Sequence, residues 1–198
     1  MCKRGVFALL LIALLLLAGC AGGPGMSRAE ELALTIRGEH LEMTGCTMKA
    51  AIAADYGQRV VRYELDTACE GDNTTLTLTA PDTVAGITAH VEGESGRLEY
   101  DGLWVETGPL DDDGLTPMSA LPALLEAARS GYITSCALEE EDTLLRVDCG
   151  DPEEPPGTGV EYALWFDAES HALVKGEISC GGFRRILCEF SDFKPNLN

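Results

Sequence analysis

Cysteine placement is what most narrows the folds open to this chain. Besides Cys2 and Cys20, the chain carries Cys46, Cys69, Cys136, Cys149, Cys180 and Cys188, three successive pairs that each straddle a turn-like stretch. An even number suggests disulfides, although six cysteines can be joined in many ways and spacing alone chooses none of them. Strand register says more. Folding the chain at Asp55-Tyr56-Gly57-Gln58 sets Ala54 against Val61, Ile52 against Tyr63, Ala50 against Leu65, Met48 against Thr67 and Cys46 against Cys69. The opposite face then places Lys49 across from Asp66, a favourable cross-strand pair. A slip of one residue would lose the turn, the apolar face, the ion pair and the cysteine pair together.

The other two pairs are read the same way. Cys136 and Cys149 centre on Asp142-Thr143, which sets Leu138 against Val147 and Glu139 against Arg146. For Cys180 and Cys188 two registers stand. A centre at Arg184 pairs the cysteines and sets Ile178 against Phe190; a tight Gly181-Gly182 turn sets Ile178 against Arg185 and Cys188 against Lys175. The first matches apolar with apolar and is the expected one. Each bridge would contribute about 2–4 kcal/mol. The close Cys-x-x-Cys spacing typical of zinc sites does not occur, so the cysteines read as hairpin staples.

Around these hairpins, Ser27-x-x-Glu30 is a capping-box pattern that predicts a short helix over Ser27–Arg37. Strands are expected at about 39–54, 58–69, 74–80, 83–92, 97–100 and 103–107, with Asp101-Gly102 as a two-residue hairpin turn. The pattern breaks at Thr116, where Ser119 can cap a helix carrying Leu121, Leu124, Leu125 and Ala128 that stops at Gly131. Pro122 is tolerable in its first turn. Strands resume through Phe190. The expected architecture is α+β: one strongly curved antiparallel sheet of about 11 strands, an unclosed β-barrel, with helices covering its concave face.

The amino terminus has a different grammar. Lys3 and Arg4 precede an apolar run from Val6 to Leu17, shorter than the roughly 20 residues of a comfortable membrane span. Leu17-Ala18-Gly19-Cys20 resembles the lipobox of bacterial lipoproteins, in which the cysteine is joined to diacylglycerol and becomes the first residue. The expected organisation is a signal peptide over 1–19, a lipidated Cys20 with a flexible tether over 20–27, and a folded domain over 28–198. Acyl chains on Cys20 would tie the domain to the outer face of the cytoplasmic membrane. Loss of Lys3 and Arg4 moves the net charge from −19 to −21. Such a surface argues against nucleic acid and anionic lipid headgroups and would suit a basic partner.

Catalytic signatures are missing. His40, His90 and His171 stand apart from one another, and no G-x-S-x-G, P-loop or H-E-x-x-H occurs. Asp111-Asp112-Asp113-Gly114 lacks the spacing and the glutamate of a calcium loop. No metal, cofactor or enzymatic activity is expected.

The stretch Thr79–Val91, the hairpin residues Leu98, Tyr100 and Gly102, the helix Ser119 to Leu125, and the closing Phe190-Ser191-Asp192-Phe193 resemble the LolA/LolB-like superfamily. More closely, the chain resembles the lipid-anchored members of the Gram-positive type, over about residues 28–194. The resemblance implies an unclosed barrel whose helices plug an apolar cavity for a lipid or another amphiphile. Met48, Ile52, Tyr63, Leu65, Trp104, Leu124 and Trp165 are the candidate lining residues. The alternative is a non-enzymatic scaffold that docks an envelope protein through its surface. Anchoring at Cys20 departs from the soluble carriers of that superfamily and argues against shuttling between membranes.

Overall fold

The computed structural model describes residues 26–110 and 113–197. The signal segment, Cys20, the tether as far as Gly25, and Asp111-Asp112 lie outside the described residues. The hairpin of β1 (Met43–Asp55) and β2 (Val60–Glu70) has the expected register, with Cys46 opposite Cys69, Met48 opposite Thr67, Ala50 opposite Leu65, Ile52 opposite Tyr63 and Ala54 opposite Val61. The Asp55 side chain accepts from the Gly57 amide at 2.7 Å, closing the turn. Gly57 has a φ of +83°, a conformation that costs glycine little.

The remaining strands are β3 (Asn73–Ala80), β4 (Thr88–Glu92), β5 (Ser95–Tyr100), β6 (Leu103–Pro109), β7 (Ile133–Glu139), β8 (Leu144–Cys149), β9 (Val160–Asp167), β10 (Leu173–Cys180) and β11 (Phe183–Leu197). They form one antiparallel sheet of 11 strands in the order β6-β5-β4-β3-β2-β1-β11-β10-β9-β8-β7, so that among the described residues β6 and β7 are its edges. The sheet is unclosed, as the sequence suggested.

Helix α1 (Arg28–Glu42) opens with the capping box: the Ser27 amide donates to the Glu30 carboxylate at 2.6 Å, and the Glu30 amide donates to Ser27 Oγ at 3.2 Å. It crosses the inner side of the sheet close to the strand ends that carry the 140–143 and 168–172 turns. Arg28 pairs with Asp142 at 3.0 Å, and Glu39 accepts from His171 Nδ1 at 2.9 Å. Helix α2 (Ala120–Ser130) packs on β9 and β10, and Arg37 of α1 donates to the Gly131 carbonyl at its end at 2.6 Å. The core lies between these helices and the sheet.

Several expectations are corrected. Residues 39–42 continue α1 rather than beginning a strand, because Ile36 and His40 share its buried face. Residues 81–86 form a turn, leaving β4 to start at Thr88. Ser119 bonds to Thr116 instead of capping α2 with its side chain. Lys49 stands opposite Asp66 but forms its ion pair with Asp192 at 3.5 Å. In the β7–β8 hairpin, Glu140, Glu141 and Asp142 all take positive φ and move the turn, so Leu138 meets Leu145 and Cys136 meets Val147. The shift is an even number of residues, so the faces survive while Cys149 lies diagonal to Cys136. Glu139 and Arg146 still reach each other at 3.8 Å.

The β10–β11 hairpin takes the tight turn. Gly181 and Gly182 have φ of +60° and +76°, and Cys180 faces Phe183. A bulge after Ile178 then sets Ile178 against Ile186, restoring apolar contact, and Cys188 lies opposite Gly176. Cys180 and Cys188 are thus four strand positions apart, about 13 Å, too far for a bridge without rearrangement.

Candidate functional site

The inner face of the sheet is apolar across almost its whole width, but its cover is not uniform. Its rows follow from the pairings: Leu65 meets Leu78, Leu76 meets Ala89, Ala89 meets Leu98, and Leu98 meets Val105. At the end of these rows Tyr100 meets Leu103, and the Tyr100 ring lies beside Gly86, 3.6 Å from where a Cβ would stand. Burial fades along this path. Leu65, Leu76 and Ala89 are buried; Tyr63, Leu78, Ile87 and Leu98 are half-buried; Val105 and Leu103 are 60% and 77% exposed. The helices reach only part of this face, and an apolar strip toward β6 remains open.

The candidate lining residues separate into three groups. Met48, Ile52, Leu65 and Leu124 come together, but as packed core, each nearly inaccessible. Tyr63 belongs to the half-buried border of the open strip. The two tryptophans are corrections, since both lie on the outer face. Trp165 stands opposite Arg146 and Lys175, while its neighbours Leu164 and Phe166 point inward. It is 6% exposed because the two cations cover its ring, Lys175 Nζ at 3.9 Å and Arg146 Cζ at 5.0 Å from the centroid. Its indole N–H donates to Glu139 at 2.9 Å. Trp104 stands opposite Glu99 and is 63% exposed. Leu78, Ile87, Leu98, Tyr100, Leu103 and Val105, which frame the open strip, escaped the sequence reading. Alternation continued from strand to strand through the registers was the signal that could have found them.

Two open hollows flank the core. Beneath α1 a cavity of about 180 Å³ is lined by Glu39, His40, Met43, His171 and Phe193 among others. His40 is buried there between Phe166 and Phe193, with no hydrogen-bond partner for Nδ1, and burial depresses its pKa to about 4. At the other end of the strands a cleft of about 460 Å³ is lined by Glu126, Tyr132, Cys149, Asp151, Tyr162 and Cys180 among others. All six core-domain cysteines are thiols in the structure. Only Cys46 and Cys69 are directly opposed; they share a hydrogen bond that, with burial, pushes the Cys46 thiol well up. Cys188 is pushed up to about 12 by burial, which marks an inert thiol.

Among the described residues no cluster of three or more His, Cys, Asp or Glu side chains could hold a metal ion, and no helix is long and apolar enough to cross a membrane. The site offers apolar contact, not reactive groups.

By sequence, no family model and no curated protein matches the chain. Solved structures of similar shape exist. A DUF1329 family protein from Desulfovibrio piger matches with a TM-score of 0.49 at 7% identity, covering 86% of this chain and 93% of its own. The GerS lipoprotein–CwlD amidase complex of Clostridioides difficile matches with a TM-score of 0.44 at 16% identity, covering 87% of this chain and 99% of that one. The LolA superfamily protein NE2245 from Nitrosomonas europaea matches with a TM-score of 0.40 at 14% identity over 83% of this chain and 93% of its own.

Proposed function

We propose that this protein is a non-enzymatic lipoprotein, anchored through acyl chains on Cys20 to the outer face of the cytoplasmic membrane, that holds a lipid or another amphiphile on the open inner face of its sheet. The observation that carries this reading is the strip bordered by Tyr63, Leu78, Ile87, Leu98, Tyr100 and Leu103, apolar side chains that neither α1 nor α2 covers. Apolar surface left in contact with water is costly at about 25 cal/mol per Å². A flexible acyl chain fits a strip that is continuous but shallow, and it needs no charged anchor. The packed residues Met48, Ile52, Leu65 and Leu124 form the floor rather than the contact surface. In an oxidising compartment Cys46 and Cys69 join, since their register is the one a cross-strand bridge requires.

The experiment is native mass spectrometry of the full chain after incubation with a membrane lipid extract. One added lipid per chain is expected, lost in Tyr63→Glu and Leu78→Glu with the melting temperature little changed. A clean apo mass from the folded protein would sink this reading. Anchoring is tested separately: metabolic labelling with palmitate should mark the chain and fail in Cys20→Ala. A hydrolase screen with an unambiguous hit would overturn the non-enzymatic part.

The alternative, docking of an envelope protein, has its own observation in the edge strand β6.

A further inference from the structure

The geometry points to β6 as a docking edge that accepts an extended segment of a protein partner, apolar and basic in alternation, as a twelfth antiparallel strand. This rests on the docking alternative and stands whether or not the inner face holds an amphiphile.

β6 is one of the two terminal strands of the sheet, and all seven of its residues are exposed. A terminal strand presents a row of unpaired N–H and C=O groups, which only another strand satisfies in full. Chains protect such rows with lysine, inward-facing charge or a covering helix. Leu103-Trp104-Val105 has none of these, the bulge at Thr107 and the proline of β6, Pro109, lying beyond it, and exposes apolar side chains on both faces: Leu103 and Val105 inward, Trp104 outward. The other edge, β7, is treated differently, because α1 packs against it and Arg28 of α1 pairs with Asp142 in its turn.

Two-sided exposure decides the class of occupant. A lipid on the inner face would cover Leu103 and Val105 but leave Trp104 in water. A strand added to the edge places side chains alternately on both faces and covers all three. Charge decides its composition. Glu99 opposite Trp104, Asp101 in the turn and Glu106 flank the apolar run; His90 Nε2 lies 3.3 Å from Glu99 and Arg97 stands opposite Glu106, which still leaves an acidic excess there, on a chain whose net charge is −19. A second copy would bring the same acids to the same edge, so like charge disfavours self-pairing. Lysine or arginine alternating with apolar residues suits both the acids and the edge.

The test uses the full chain purified from membranes in detergent, with a fluorescein-labelled peptide of about twelve residues alternating lysine and valine. Binding should be accompanied by slowed amide exchange within residues 103–107. Trp104→Lys should weaken it by roughly tenfold or more, equivalent to about 1.4 kcal/mol. Phe183→Lys, at an equally exposed apolar site on another hairpin, and Tyr63→Glu, within the open strip, should leave it unchanged. Equal binding of a peptide N-methylated at every second residue would reduce the effect to charge attraction and overturn the proposal. So would protection of 103–107 that grows with protein concentration alone, the mark of a second copy. Protection produced by phosphatidylglycerol vesicles and not by the peptide would assign the edge to lipid.

Discussion

The two halves of the sheet are built to the same rule and finished differently. In β7–β11 the inward residues Leu145, Leu164, Leu173, Ile178 and Ile186 are covered by α1 and α2 and lie almost wholly out of water. In β2–β6 the same alternation supplies Leu78, Ile87, Leu98, Leu103 and Val105, and exposure rises strand by strand toward the edge. Apolar alternation is therefore a property of the whole sheet, whereas the core thins beyond the helices: Leu65, Leu76 and Ala89 are still buried, and Leu103 and Val105 at the edge are not. Among the described residues, two helices of 15 and 11 residues are too few to cover both halves.

That contrast can be broken most sharply in the covered half. Leu124 of α2 rests on β10 and is fully buried, so Leu124→Ala should cost about 4 kcal/mol by denaturant unfolding. A loss below about 1 kcal/mol would mean the helix is loosely seated. Next in size is a pH effect. Burial holds the His40 pKa at about 4, below its ordinary 6.5, so the unfolded chain takes up the proton first. This burial leaves stability whole above pH 6.5 and erodes it as pH falls toward about 4, by on the order of 3 kcal/mol. Melting curves of His40→Phe should lack that part of the acid sensitivity.

A smaller effect sharpens the comparison at the helix–sheet contact. At Gly176 an added Cβ would stand 2.7 Å from Leu124 Cδ1 and 3.2 Å from its Cγ. Gly176→Ala should therefore destabilise by about 1–3 kcal/mol through overpacking, and Leu124→Ala in the same chain should relieve part of it, which a double-mutant cycle reads directly. The smallest effect is expected in the open half. Leu103→Ala should change stability by less than about 0.5 kcal/mol, since its side chain is 77% exposed. A large loss there would show that the strip is structural after all.

The sequence made the β1–β2 hairpin legible because four independent signals agreed on one register. The β10–β11 hairpin misled because its cysteines suggested a symmetry that a glycine turn and a bulge do not share. The β7–β8 offset was hidden for a related reason: three consecutive acids in left-handed conformation are not a preference that composition announces. In the candidate site, alternation told which side chains share a face but not how far the helices extend. Trp165 shows the other limit. Within the buried run Leu164-Trp165-Phe166 its outward position could be read only from its pairing with Arg146 and Lys175.

The path of α1 has one more consequence, for orientation. The helix starts at Arg28 beside Asp142, at the strand ends opposite the Tyr100–Leu103 turn. Were Cys20 anchored in the bilayer as proposed, six residues, 21–26, could span at most about 20 Å, which would hold the 140–143 end close to the headgroups. The exposed turn between β5 and β6 then stands a further 20 Å or so away along its strands. Under the proposed anchoring the protein would be a short post with its sticky tip pointing outward, and whatever it held would be presented to the envelope rather than returned to the leaflet beneath.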